Sequence, residues 1–355
     1  MGKSMDVRWK ECILLDCDGL NTLLKKISER YKIFYHAEDG TYKEFEGKIS
    51  PHTINFMLSS PRPSMSIKRY LHPPIADLFE FCYHNNNVEI FRVEYEKPQL
   101  ILGVRGCDIR ALQVLDKYFM HDVCDPVYTA LRKNTLFISV PCTKKGDYCF
   151  CSKDIAMEFV NAHAFIVPHD NGYILCARDE KIIGLLSGLG KRLPSADIER
   201  IMKKIEAEVD DYTEDIIPNA YNWVRERNIA EVRERIEELA SLIGIEHCIS
   251  CGMCNFLCPT CHCYDVRDEW KSVEMKEGKR LRVWDSCHLY EFALVAGGHN
   301  FRGPRSHRAY YRIMDKISLS TARYGMMACV GCGRCIEYCP VGVDIREVFR
   351  RLGND

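Results

Sequence analysis

Residues 248–259 read CISCGMCNFLCP, and residues 329–340 read CVGCGRCIEYCP. Six of the twelve positions are identical (four Cys, one Gly and one Pro), at an offset of 81 residues. Each copy has the form C-x2-C-x2-C-x3-C-P. A cubane iron–sulfur cluster needs four thiolates around a compact core. Three closely spaced cysteines on a looping backbone can grip three irons, and the fourth of each run reaches the other cluster. The pattern predicts two [4Fe–4S] clusters, the first held by Cys248, Cys251, Cys254 and Cys339, the second by Cys329, Cys332, Cys335 and Cys258. Pro259 and Pro340 turn the chain away after the last ligand of each run. Zinc usually takes two separated CxxC pairs, not four Cys in eleven residues. Paired clusters are normally electron wires; a purely structural role is the plainer alternative.

The whole chain has 355 residues, 46% hydrophobic and 28% charged, with a net charge of −1. That length suits two or three domains with a real core. The charge balance excludes a strongly basic nucleic-acid surface. Twenty residues are Cys, eleven of them after residue 247. In a long chain of normal apolar content this points to metal binding in a reduced compartment, the cytoplasm, not to a disulfide scaffold. The start, MGKSMDVRWKEC, lacks the apolar core of an export signal, and Asp6 breaks the myristoylation pattern. No uncharged apolar run approaches the length of a membrane span.

Residues 1–185 read as an α/β domain with a mostly parallel sheet. Segments 88–93, 99–104 and 135–140 have strand character, and 108–119 repeats Ile109, Leu112, Leu115 and Phe119 at helical spacing. Strand, helix, strand suggests a βαβ unit. Residues 186–246 read as a charged helical connector, with 22 of positions 191–240 charged and Pro218 punctuating it. Residues 247–355 read as an α-helical, ferredoxin-like dicluster domain with a long insertion over 261–328.

Further cysteines fall into two groups. Cys107 lies in GVRGCD after a predicted strand, and Cys142, Cys149 and Cys151 lie in PCTKKGDYCFC after the next. In a parallel βαβ unit both strand ends emerge on one sheet edge, so the four converge. They suggest a third iron–sulfur cluster; scattered reduced thiols are the alternative. Cys261, Cys263 and Cys287 lie between the two runs, beside His262 and His288. They read either as small buried side chains or as extra metal or redox groups, with Trp284 and Tyr290 shielding them. Arg302, Arg305, Arg308, Arg312 and Lys316 read as a solvated face or a docking surface for an acidic redox partner. Cys12, Cys17, Cys82, Cys124 and Cys176 share no spacing and read as ordinary core or surface residues. No G-x-G-x-x-G follows a predicted strand, GLLSGLGKRL (184–193) has the wrong spacing for a phosphate loop, and no catalytic residue is assigned.

Together GVRGCDIRAL (103–112), CFC (149–151), CPTCHC (258–263), WDSC (284–287) and CVGCGRCIEYCPVGVDI (329–345) resemble the β subunit of cytosolic hydrogenase/sulfur reductase (sulfhydrogenase). They are equally similar to the 4Fe–4S dicluster subunit of anaerobic sulfite reductase, a related protein. The likeness runs over about residues 99–348. It implies an electron-transfer subunit of an anaerobic oxidoreductase complex. Such a protein relays electrons from a flavin-containing, nicotinamide-oxidising reductase subunit to a catalytic one, or the reverse. The catalytic partner is of hydrogenase, sulfite or sulfur reductase, or heterodisulfide reductase type. The competing readings are an enzyme subunit with its own flavin or deazaflavin carrier in the N-terminal domain, and a structural or assembly protein.

Overall fold

The computed structural model describes residues 9–84, 87–93, 95, 98–170 and 172–354; the N-terminal stretch read above for export or lipidation signals lies mostly outside them. Packing divides the chain into two compact units. One comprises residues 1–65, 97–110 and 134–215, the other residues 66–96, 111–133 and 216–355. Both are discontinuous in sequence, whereas the sequence reading expects contiguous domains.

The first unit is built on an eight-stranded sheet in the order Lys191–Arg192, Glu11–Leu15, Gly172–Ala177, Ala164–His169, Thr135–Ser139, Gln99–Val104, Lys32–His36, Tyr42–Glu44. The four strands from Ala164–His169 to Lys32–His36 pair in parallel, and the outer pairings are antiparallel. The sheet is therefore mixed, parallel at its centre and antiparallel towards its edges. Gln99–Val104 and Thr135–Ser139 are buried at every position. That is the signature of a central strand covered on both faces, and it explains their unbroken apolar runs. Helix Cys17–Ser28 is capped by Asp16, which accepts from the Gly19 N–H at 2.7 Å, and it buries Leu20, Leu23, Leu24 and Ile27 against the sheet core. Cys12 and Cys176, read from sequence as ordinary residues, are direct neighbours across two antiparallel strands and form a disulfide. Their 164-residue separation hides this pairing from any local spacing rule.

The second unit carries a four-stranded antiparallel sheet in the order Tyr264–Trp270, Glu277–Trp284, Ile75–His84, Asn87–Arg92. Two expectations change here. Segment 88–93 forms a strand of this sheet, not of the α/β sheet. The C-terminal region is also not all helical, because residues 264–284 form a β-hairpin. Its charges hide the strand pattern in sequence, yet they pair across it: Asp268 lies opposite Arg280 and accepts from its Nε at 2.7 Å and Nη2 at 2.8 Å. Helices Ile216–Arg225 and Ile229–Leu242, from the stretch read as a connector, join this unit, while Ser195–Asp210 belongs to the first. Pro218 sits in the opening turn of its helix, where its missing N–H costs nothing. Helix Arg305–Met314 runs through a π-turn, Asp315–Leu319, into Ser320–Tyr324. Among the described residues no helix is long and apolar enough to cross a membrane.

Arg282, 1% exposed, pairs with Asp125 and stacks over Phe119 and Tyr264 at 5.2 and 5.7 Å. A lone buried charge is costly, whereas an apolar replacement of both partners is tolerated. Asp125→Asn is expected to destabilise the protein by about 3–5 kcal/mol, and Arg282→Met combined with Asp125→Leu by far less, read from urea midpoints. Burial, then Arg282 and Lys68, push His72 from 6.5 down to about 2. Unfolded histidine takes up a proton below its ordinary pKa and the folded residue does not, so this contribution is complete above that pKa and is lost as pH falls. Stability is expected to drop by up to about 1.4 kcal/mol per pH unit below roughly pH 6, and His72→Phe to flatten that limb.

Candidate metal centres

The two cysteine runs fold into matching loops. Ser250 and Gly331, at equivalent positions, have φ of 59° and 62°; Gly252 and Gly333 have φ of 75° and 70°. Left-handed residues at these points turn successive backbone N–H groups towards the loop interior, as anion-binding nests do. The Ser250 N–H donates to Cys248 Sγ at 3.4 Å, and the Gly331 N–H makes the corresponding bond to Cys329. Each loop then enters a short helix, Met253–Leu257 or Arg334–Glu337, that carries its third cysteine. Gly252 leaves little room for a side chain: a Cβ would lie 3.0 Å from Phe256 and 3.1 Å from Ser286 Oγ.

Cys248, Cys251 and Cys254 line one cavity together with Cys335 and Cys339 of the other run, and Ile245, Ile313 and Val343 add apolar walls. Cys329 has Cys335, Cys332 and Cys258 around it. The eight cysteines of the two runs gather in one region, where Cys254 neighbours Cys335 and Cys258 as well as Cys248. Burial pushes the Cys254 thiol up to about 12 and that of Cys329 further. As bare thiols these groups stay protonated, and a metal is what turns them into thiolates. Among the described residues no three His, Cys, Asp or Glu side chains are placed to hold a single metal ion.

The basic stretch is divided, with Arg305 exposed and Arg302 half-buried. Arg308, Arg312 and Lys316 recur every fourth residue and are only 5%, 6% and 1% exposed. Both surface readings of the sequence therefore fail for these three, because the polar stripe of the helix faces inward. Arg308 donates from Nε to the His288 carbonyl at 2.7 Å and also holds the Gly303 carbonyl. Arg312 donates from Nε to Asn255 Oδ1 at 3.0 Å and from Nη2 to the Cys254 carbonyl at 3.3 Å. Lys316 reaches the Thr260 carbonyl at 3.4 Å and Asp315 at 3.3 Å. Lys68 joins them, donating to the Asn255 carbonyl at 3.0 Å with its ammonium 4.3 Å from the Trp284 ring centroid. Burial opposes the charge on Arg312 and Lys316, and nearby cysteines more than offset it. Buried cations with mostly neutral partners require negative charge close by. Clusters ligated by thiolates are net anions and supply it, so the residues present fit the group.

Asn255 went unremarked in the sequence. It is buried at the centre of this network, donating from Nδ2 to Cys287 Sγ at 3.0 Å while its Oδ1 accepts from Arg312 and from Cys254 Sγ. Its only signal is its place directly after a ligand cysteine. His288 Nδ1 lies 3.7 Å from Cys248 Sγ, Trp284 stacks on Phe256, and Tyr290 is exposed. The Cys258 and Cys261 thiols touch, as do those of Cys263 and Cys287.

In the first unit Cys107 opens helix Gly106–Met120, and Cys142 follows strand Thr135–Ser139. Arg105 fastens this corner by donating to the carbonyls of Ser60 at 2.7 Å and Pro141 at 2.9 Å. Gly106 allows the close approach, since a Cβ there would lie 2.3 Å from the Ala156 carbonyl oxygen. Cys107, Cys142 and Cys151 surround Tyr212, whose hydroxyl donates to the Cys142 carbonyl, and Cys149 neighbours Cys142. The four expected cysteines are thus gathered at one sheet edge. Gly252→Ala and Gly333→Ala are expected to cost about 1–2 kcal/mol each from left-handed strain and to lower iron content, read by denaturation and iron assay.

A family model for a 4Fe-4S dicluster domain matches residues 247–343. The chain is 31% identical over 273 residues to sulfhydrogenase 2 subunit beta of Pyrococcus furiosus, covering 74% of this chain and 76% of that protein. It is 23% identical over 157 residues to an Hdr-like menaquinol oxidoreductase iron-sulfur subunit of Archaeoglobus profundus, covering 44% of this chain and 24% of that one. No solved structure matches. The chain belongs to the sulfhydrogenase β-subunit family and carries its 4Fe–4S dicluster domain.

Proposed function

We propose that this protein is the iron–sulfur relay subunit of an oxidoreductase complex. At one end of the relay stands a flavin-containing reductase subunit that oxidises a nicotinamide. At the other stands a catalytic subunit of hydrogenase, sulfite or sulfur reductase, or heterodisulfide reductase type. The observation that supports this reading is the pair of matching loops whose eight cysteines gather: Cys335 and Cys339 line the cavity of Cys248, Cys251 and Cys254, and Cys258 lies near Cys329, Cys332 and Cys335. The names of the two relatives support a place in a multi-subunit oxidoreductase.

Each cluster supplies one-electron redox chemistry when bound. The chain's part is to hold and tune it. The Ser250 and Gly331 amides donate to ligand sulfurs, which favours the reduced, more negative state. Ile245, Ile313 and Val343 give the first site apolar walls, while Cys251 faces solvent. Arg312 and Lys316 offset charge gained on reduction. In the first unit Cys107, Cys142, Cys149 and Cys151 hold a third cluster in this reading, at a sheet edge where a helix N-terminus favours negative charge.

Protein purified without oxygen is expected to carry about eight irons for the ferredoxin-type pair and about four more for the Cys107 set. Cys339→Ser is expected to alter the electron paramagnetic resonance of the cluster held by Cys248, Cys251 and Cys254 while leaving that of the Cys329 set in place. Loss of the other signal instead contradicts the crossed assignment, and near-zero iron in folded protein contradicts the relay.

A further inference from the structure

Cys261, Cys263 and Cys287 take no part in the relay proposed above, yet they share one cavity. It measures about 620 Å³ and is lined also by Asn255, Tyr118, Tyr264, Arg312 and Asp315. The cavity opens to solvent and leaves room beside the three thiols for a group larger than a single water. The thiols come from two separate segments. Cys261 and Cys263 precede strand Tyr264–Trp270, and Cys287 follows strand Glu277–Trp284, so pairing of the hairpin, with Tyr264 opposite Trp284, brings them together. Asn255 fixes two of them, donating to Cys287 Sγ at 3.0 Å and lying 3.9 Å from Cys263 Sγ. Arg312 lines the cavity, and Lys316 and Lys68 are buried beside it. His262 turns aside: its Nδ1 meets the Thr260 carbonyl at 3.2 Å and its ring stacks on Tyr118 at 3.5 Å.

We infer that Cys261, Cys263 and Cys287 hold a further iron–sulfur cluster through three protein thiolates, with its fourth iron facing the cavity and open to water or a small anion. Three soft ligands on two loops joined by a hairpin match a cubane corner, and the three surrounding cations match its negative charge. The Cys258–Cys261 contact links this cluster to the second ferredoxin-type one. Electron exchange through that contact moves one electron, lost by one side for each gained by the other, with no bond made or broken. This inference rests on the relay reading, since Cys258 must be a ligand of the neighbouring cluster.

The test compares anaerobically purified wild type with Cys261→Ser/Cys263→Ser and with Cys287→Ser, by iron and acid-labile sulfide per chain. Both variants are expected to lose about four irons and four sulfides while the resonances of the ferredoxin-type pair persist. Equal iron in wild type and variants overturns the inference and leaves the relay standing; near-zero iron in folded wild type overturns both. Cyanide added to reduced wild type needs no variant. A shift of one cluster's resonance, absent at the ferredoxin-type pair, is expected, and an unchanged spectrum contradicts the open iron.

Discussion

Buried positive charge among cysteine sulfurs is the constraint on which the second unit turns. Arg308, Arg312, Lys316 and Lys68 are withdrawn from water, and apart from Asp315 beside Lys316 their named partners are carbonyls, amide oxygens and aromatic faces. A carbonyl satisfies a donor's geometry but leaves its charge uncompensated. The remaining groups within reach are thiols: burial pushes Cys254 and Cys329 up, whereas the hydrogen bond from Cys261 holds Cys258 well below the usual thiol range and that from Cys287 brings Cys263 down to about 7. Cys258 and Cys263 supply part of the compensating negative charge, and metal-bound thiolates supply the rest. The helix Arg305–Met314 therefore depends on the clusters for its electrostatic partner, and the clusters depend on the helix for charge compensation and for shielding from water.

This coupling explains the segment that separates the two ferredoxin-type runs. Residues 261–328 supply a hairpin that positions three more cysteines and a helix that delivers the cations. The loops themselves are simple objects, fixed by left-handed residues at matched positions and by amide-to-sulfur bonds. What surrounds them sets polarity, water access and charge, the quantities that tune a cluster's potential.

Much of this was legible in the sequence because ligand spacing is a local code. The gathering of the eight ferredoxin-type cysteines and that of Cys107 with Cys142, Cys149 and Cys151 follow from motif spacing and from the geometry of a βαβ unit. The buried strands 99–104 and 135–140 announce themselves by unbroken apolar runs. The rest depends on pairings distant in sequence. Strand Ile75–His84 finds its partner about 200 residues away in Glu277–Trp284, and Cys12 finds Cys176 only through sheet register. The inward stripe of Arg308, Arg312 and Lys316 obeys the helical period but inverts the usual rule that charge faces water, so composition alone misassigns it.

The central claim is that the clusters neutralise the buried cations and thereby hold helix 305–324 in place. Amide hydrogen exchange of that segment, compared between cluster-loaded protein and protein stripped of iron without oxygen, tests it most directly. Protection across Arg305–Tyr324 that collapses on stripping, while the eight-stranded sheet stays protected, is the predicted result. Equal protection in the two forms would contradict the account.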